Sequence, residues 1–142
     1  MTPQAETAYV IKTEVEDLDA ATYAFTARKT MYGGKLIAAG DKIFLIASEN
    51  AGGKGLFARG VVEAATPVAR NPRIERQTPR VSVRIKRLAR AKASLGRADV
   101  KAFATWDDGQ PQTELNFKLY RQATDKIVGI TVSTARFLDS FF

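Results

Sequence analysis

Residues 70 to 101 read RNPRIERQTPRVSVRIKRLARAKASLGRADVK, a stretch with 11 Lys or Arg and 2 acids. Side chains of this kind neutralise phosphate, release its counterions and draw an anionic partner inward. The rest of the chain holds 11 Lys or Arg and 13 acids, so this stretch carries the whole excess behind the net charge of +7. Arg73, Arg76, Arg80, Arg84 and Lys86 are therefore candidate phosphate contacts. The plain alternative is a solvated basic strand whose charges guard an edge.

A second stretch, LNFKLYRQATDKIVGI at residues 115 to 130, could read a base. Asn116, Lys118, Arg121, Gln122, Thr124 and Lys126 interleave with Phe117 and Tyr120, and Trp106 lies nearby in sequence. A base taken out of its stack needs an aromatic face, an amide for its edge and a cation for the flanking phosphate. Trp106, Asn116, Arg121 and Gln122 are candidates for those roles. The same residues also describe a strand with aromatics in the core and polar groups in water.

The residue types that are missing narrow the chemistry. The chain has no His and no Cys. That removes imidazole and thiolate catalysis, His- or Cys-based zinc sites and disulfides. The acidic pairs Glu16/Asp17 and Asp107/Asp108 lack calcium-loop spacing and read as surface or helix-start groups. No metal and no cofactor is expected. Apolar runs such as Ile43–Ala47 are too short to cross a bilayer. The N-terminus MTPQAETAYVIK has neither a basic flank nor an apolar signal core, which makes the cytoplasm the default. A chain of 142 residues with 45% apolar content fits one globular domain over 1–142.

The elements that would position these residues follow from periodicity. Tyr9–Thr13 reads as a first strand. The acids Glu16, Asp17 and Asp19 precede AATYAFTA, which reads as a short helix broken at Met31–Gly34. Ile43–Ala47 and Leu56–Ala65 are strands joined through Gly52-Gly53. Val81–Leu88 alternates, with Val81, Val83, Ile85 and either Arg87 or Leu88 inward and Ser82, Arg84 and Lys86 outward. Gly96–Phe103 reads as a short helix and Trp106–Pro111 as a loop. Asn116–Tyr120 and Lys126–Ile130 fit strands or loop edges. Ser133 or Thr134 would cap a final helix carrying an apolar stripe of Phe137, Leu138, Phe141 and Phe142. Short strands with a few helices and no βαβ alternation predict an α+β, mainly β, barrel of about five to six mostly antiparallel strands.

Several ordered motifs resemble a known family. YVIKTEV (Tyr9–Val15) resembles the opening of EVE domains, an aromatic-x-aliphatic-x-Lys-Ser-Glu-Pro signature. ARKTM, GDKIFLIAS and ARGVVEA follow in the family's order, so the likeness spans residues 9 to 65. Tyr9 stands where the family has Trp, Val15 where it has Pro, and Tyr23-Ala24 where it has Arg-Asn. The resemblance implies a PUA-like pseudo-barrel, related to YTH and ASCH domains, that binds DNA or RNA without catalysis. It also implies a pocket at the barrel mouth for a modified or flipped-out base. Lys12, Thr13 and Glu14 would occupy the Lys-Ser-Glu element and Ser48 the family's Ser, which places Lys12, Thr13 and Ser48 near the rim.

Arg28-Lys29-Thr30 also looks like the Arg-Lys-Thr stretch of small ASCH hydrolases that deacylate a modified cytidine. That likeness implies an alternative, an amidohydrolase with Lys29 as base and Glu63 as its partner. The position of the nucleophilic Thr holds Tyr32. A domain that binds a small ligand or a protein through its basic surface is the remaining alternative.

Overall fold

In the first strand, β1 (Ala8–Thr13), Tyr9 and Ile11 join one buried cluster while Ala8 and Val10 join another. The strand is buried on both faces because successive side chains alternate sides and both sides are covered. The first cluster fills the inside of a barrel. The second lies between the barrel wall and a layer of short helices. This computed structural model describes residues 8–49, 52–105, 108–120 and 125–142.

The other strands are β2 (Thr22–Met31), β3 (Lys42–Ala47), β4 (Gly55–Pro67), β5 (Arg80–Arg90) and β6 (Lys126–Ile130). They close in the order β1-β3-β4-β5-β2-β6. The β1–β3 and β2–β6 pairs are parallel and the other four pairs antiparallel. The expected barrel is thus present, with two parallel seams. Tyr9, Ile11, Ile43, Leu45, Val83, Ile85 and Ile127 fill its interior. Three short helices cover β1, β3 and β6 from outside: α1 (Arg97–Val100), α2 (Pro111–Leu115) and α3 (Val132–Asp139). Leu115, Leu119 and Leu138 seal this outer layer against Val10, Phe44 and Val128.

Three expectations are corrected. The segment read as a helix from residue 20 is strand β2, with Tyr23 and Phe25 inward and Thr22, Ala24 and Thr26 exposed. The helical propensity of its alanines yields to two aromatics at period two, which stack in the barrel with centroids 6.3 Å apart. Asp17 instead closes a turn by accepting from Asp19 N–H (2.8 Å), and Tyr23 Oη donates to the Asp17 carbonyl (2.7 Å).

Asn116–Tyr120 is not extended. It continues α2 as a π-helical turn, which places both Leu115 and Leu119 in the core. Pro111 at the first helical position and the four-residue spacing of the two leucines explain this course. The final helix begins slightly earlier than read, capped by Thr131 Oγ1, which accepts from Thr134 N–H (3.3 Å). On β5 the inward alternation continues through half-buried Arg87, and Leu88 is 59% exposed. Arg87 Nη1 reaches the Leu18 carbonyl, an outlet that Leu88 would not need.

Candidate nucleic-acid interface

β1 and β3 finish, and β6 begins, at the same end of the barrel. Thr13 continues the barrel-facing side of β1. Its Oγ1 donates to Asp125 Oδ1 (2.5 Å), and Arg28 Nη1 bonds both Asp125 Oδ1 (3.1 Å) and Thr13 Oγ1 (3.2 Å). Arg28 reaches this point because β2 bulges between Phe25 and Arg28. Ala27 there adopts a φ of 51°, and its N–H is taken by Ser82 Oγ (2.9 Å). The guanidinium carbon also lies 5.1 Å from the Phe25 ring centre, a cation–π contact.

Beside this knot the register sets three cations in a row. Lys29 of β2 is opposite Lys126 of β6 on one side and Arg80 of β5 on the other. Neighbouring strands lie about 4.8 Å apart, and like charges facing each other destabilise a sheet. Among the described residues, Lys29, Arg76, Arg80 and Lys126 make no ion pair. Arg80 Nη1 donates to the Ala27 carbonyl (2.8 Å). Asp125, the described carboxylate that lines the second of two hollows here, is held by Arg28. Two adjoining hollows of about 540 and 430 Å³ share Lys29 and Arg80; Arg76, Gln77 and Thr78 line the first, and Arg28, Asp125 and Lys126 the second.

The sequence-derived pocket residues divide. Lys12 faces away from Thr13, into the helix layer, where Nζ donates to the Leu119 carbonyl (2.6 Å). Burial lowers the Lys12 pKa below the ordinary lysine range; Glu49 opposes this and Arg97 adds to it. Ser48 is buried next to it, and its N–H donates to the Thr13 carbonyl (2.8 Å). Asn116 is buried in the same layer and donates from Nδ2 to the Phe103 carbonyl (3.1 Å). Lys12 and Asn116 therefore lie under the helices and Ser48 is buried, whereas Thr13 faces the mouth. Trp106, Arg121 and Gln122 lie outside the described residues.

The phosphate candidates also divide. Arg76 and Arg80 line the cationic cleft. Arg73 is exposed on the β4–β5 connection, where its N–H is held by Asn71 Oδ1 (2.9 Å). Arg84 and Lys86 continue the row along the outer face of β5, opposite Ala24 and Thr22 of β2. Lys29 and Glu63 are not brought together: Lys29 lies between Lys126 and Arg80, whereas Glu63 stands on β4, beyond β5, at the irregularity between Val62 and Ala64. The sequence reading named Arg28 only within a motif and Lys126 only among the polar groups of residues 115–130, and did not name Asp125. No local signal marks the cross-strand register that assembles them.

A further cavity of about 510 Å³ opens between Tyr32, α2 and the start of α3. Its carboxylate, Glu114, accepts from Lys118 Nζ (2.7 Å), Thr131 Oγ1 (2.8 Å) and Thr134 Oγ1. Burial would raise the Glu114 pKa, and these hydrogen bonds override it and hold the carboxyl below its ordinary value. Its oxygens are spent on joining α2 to α3. Among the described acids proposed for surface or capping roles, Asp108 accepts from Gln110 N–H (2.9 Å) and Thr113 Oγ1 (2.9 Å) at the start of α2.

No family model and no curated protein matches the chain. Solved structures do. Human THYN1 in complex with DNA containing 5-methylcytosine is similar over 94% of this chain and 96% of its own, with a TM-score of 0.65 and 17% identity. The DUF55 domain of human thymocyte nuclear protein 1 has a TM-score of 0.62 at 16% identity, over 94% and 96% of the two chains. Rpa0253 from Rhodopseudomonas palustris has a TM-score of 0.62 at 18% identity, over 95% and 92%. At these identities the likeness is one of fold, a closed six-stranded, mainly β barrel with short helices, consistent with the expected pseudo-barrel.

Proposed function

We propose that this domain binds nucleic acid without catalysis, seating backbone phosphate in the cleft of Lys29, Arg76, Arg80 and Lys126 and presenting one base to the mouth at Thr13, Arg28 and Asp125. The observation that carries this reading is the row Lys126–Lys29–Arg80, three cations held side by side by strand register. A fold gains nothing from that repulsion, whereas a bound phosphate turns it into attraction. At the mouth, Arg28 and Asp125 offer a donor and an acceptor within one hydrogen-bonded unit, the pairing needed to read a base edge. The fold shared with human THYN1, which has been solved with 5-methylcytosine-containing DNA, supports the reading.

The test is binding to labelled single- and double-stranded DNA and RNA, with and without modified bases, over a salt series. A steep fall in affinity with salt is expected, because counterion release dominates such contacts. Preference for one modified oligonucleotide should disappear in Thr13→Val while the salt slope stays. No binding at low salt, where the electrostatic term is largest, would overturn the reading.

A further inference from the structure

The connection between β4 and β5, residues 68–79, reads VARNPRIERQTP and is built rather than slack. Val68 N–H donates to the Arg80 carbonyl (2.9 Å) and closes its base. Thr30 fastens its far end to β2 by donating from N–H (3.1 Å) and Oγ1 (2.9 Å) to the Pro79 carbonyl. Inside, polar side chains serve the loop's own backbone. Arg70 Nη2 reaches the Ile74 and Glu75 carbonyls. Gln77 Nε2 donates to the carbonyls of Asn71 (2.8 Å) and Ile74 (2.9 Å), and Gln77 Oε1 accepts from Asn71 N–H (3.1 Å).

With those groups turned inward, the loop presents Ile74, which is 47% exposed and lines the cationic cleft with Lys29, Arg76 and Arg80. A scattered apolar side chain on a surface is ordinary. Ile74 differs because it is β-branched, hence stiff, is carried on a pre-ordered loop and stands among cations that have no carboxylate partner among the described residues. Phosphate binding alone has no use for it.

We infer that Ile74 is a wedge that enters a base step of a duplex while Lys29, Arg76 and Arg80 hold the flanking phosphates. Apolar side chains inserted between base pairs unstack the step and kink the helix. Unstacking is also part of the cost of extruding a base, so a wedge beside the mouth would make a base available to it. The inference rests on the nucleic-acid reading above.

The test places 2-aminopurine, whose fluorescence is quenched by stacking, in otherwise identical DNA and RNA duplexes. The wild-type chain should raise the signal severalfold in at least one duplex. Ile74→Ser should bind with the same salt slope and leave the signal quenched, and Ile74→Leu should restore it. A wild-type chain that binds with a steep salt slope but leaves both duplexes quenched would overturn the wedge alone, as would an Ile74→Ser signal equal to wild type. Salt-dependent binding absent from the wild-type chain would remove the wedge and the nucleic-acid reading together. Circular dichroism of the variants separates these outcomes from misfolding.

Discussion

Two cationic clusters, each built around one aspartate, stand in different places and are paired differently. At Asp139 on α3, Lys42 Nζ and Arg59 Nη1 each reach one carboxylate oxygen, at 2.7 and 2.8 Å. Both cations also lie over aromatic rings, Lys42 over Phe44 and Arg59 over Phe142. Burial would raise the Asp139 pKa, and the hydrogen bonds from Lys42 and Arg59 override it and hold the carboxyl below its ordinary value. At Asp125, Arg28 makes the ion pair among the described residues and Thr13 adds a hydrogen bond, while Lys29, Arg80 and Lys126 line the same hollow and Arg76 the adjoining one. In the first cluster each cation has its own carboxylate oxygen, and the contact closes a helix onto the barrel. The second is open to solvent and gathers more cations than its described carboxylate pairs. Counting Lys and Arg cannot tell these apart; partner geometry can.

The largest expected effect breaks the open cluster. Lys29→Ala with Lys126→Ala should flatten the salt slope of nucleic-acid binding by about 2, each phosphate contact being worth about 0.9. Between 50 and 200 mM salt that is about a tenfold loss of salt sensitivity. Stability should not fall. Relief of like charges across strands should raise it by about 0.2–1 kcal/mol, read by urea denaturation. A clear loss of stability would mean that these lysines serve the fold, as Lys42 does.

The closed cluster should behave the other way. Asp139→Asn should cost about 1–2 kcal/mol, since two charge-assisted hydrogen bonds at a part-buried carboxylate weaken together, and nucleic-acid affinity should stay the same. A stability–pH profile sharpens the point. The folded-state pKa of Asp139 is depressed below its ordinary value of 3.8, so its contribution is full above that value and is lost as pH falls through the folded-state pKa. Asp139→Asn should flatten this acid limb in part, with Glu114 supplying a limb of the same sign. An unchanged limb in the variant would show that Asp139 does not stabilise through its charge.

The sequence revealed the barrel largely through β1, β3, β4 and β5, where alternation or double-sided burial leaves a plain pattern. It misled at β2, because Ala20, Ala21, Ala24 and Ala27 carry helical propensity, and the inward pair Tyr23/Phe25 is decisive only once a barrel exists to receive it. The cleft was half legible. Arg76 and Arg80 stood out by charge density, but Lys29 and Lys126 are 97 residues apart and meet only through the parallel β2–β6 pairing. Lys12 was marked by motif, yet which face of a strand lies under helices is a tertiary fact. Ile74 carries no signal of its own in the sequence; the order of its loop rests on the hydrogen bonds of Arg70 and Gln77.

The smallest effect tests the comparison most directly, because the same substitution is made in both places. Asp125 is 57% exposed, and its ion pair with Arg28 is screened by water, so Asp125→Asn should change stability by no more than about 1 kcal/mol. An asparagine oxygen can still accept from Thr13 Oγ1, which limits the loss further. Removing the carboxylate, however, takes the only described acid from a hollow lined by Arg28, Lys29, Arg80 and Lys126. Oligonucleotide affinity should therefore rise severalfold at low salt, and the gain should shrink as salt screens the cluster. If Asp125 reads a base edge, discrimination between modified and plain oligonucleotides should fall even as total affinity rises. Weaker binding at every salt concentration would place Asp125 beside Asp139 as a structural counter-ion and erase the distinction between the two clusters.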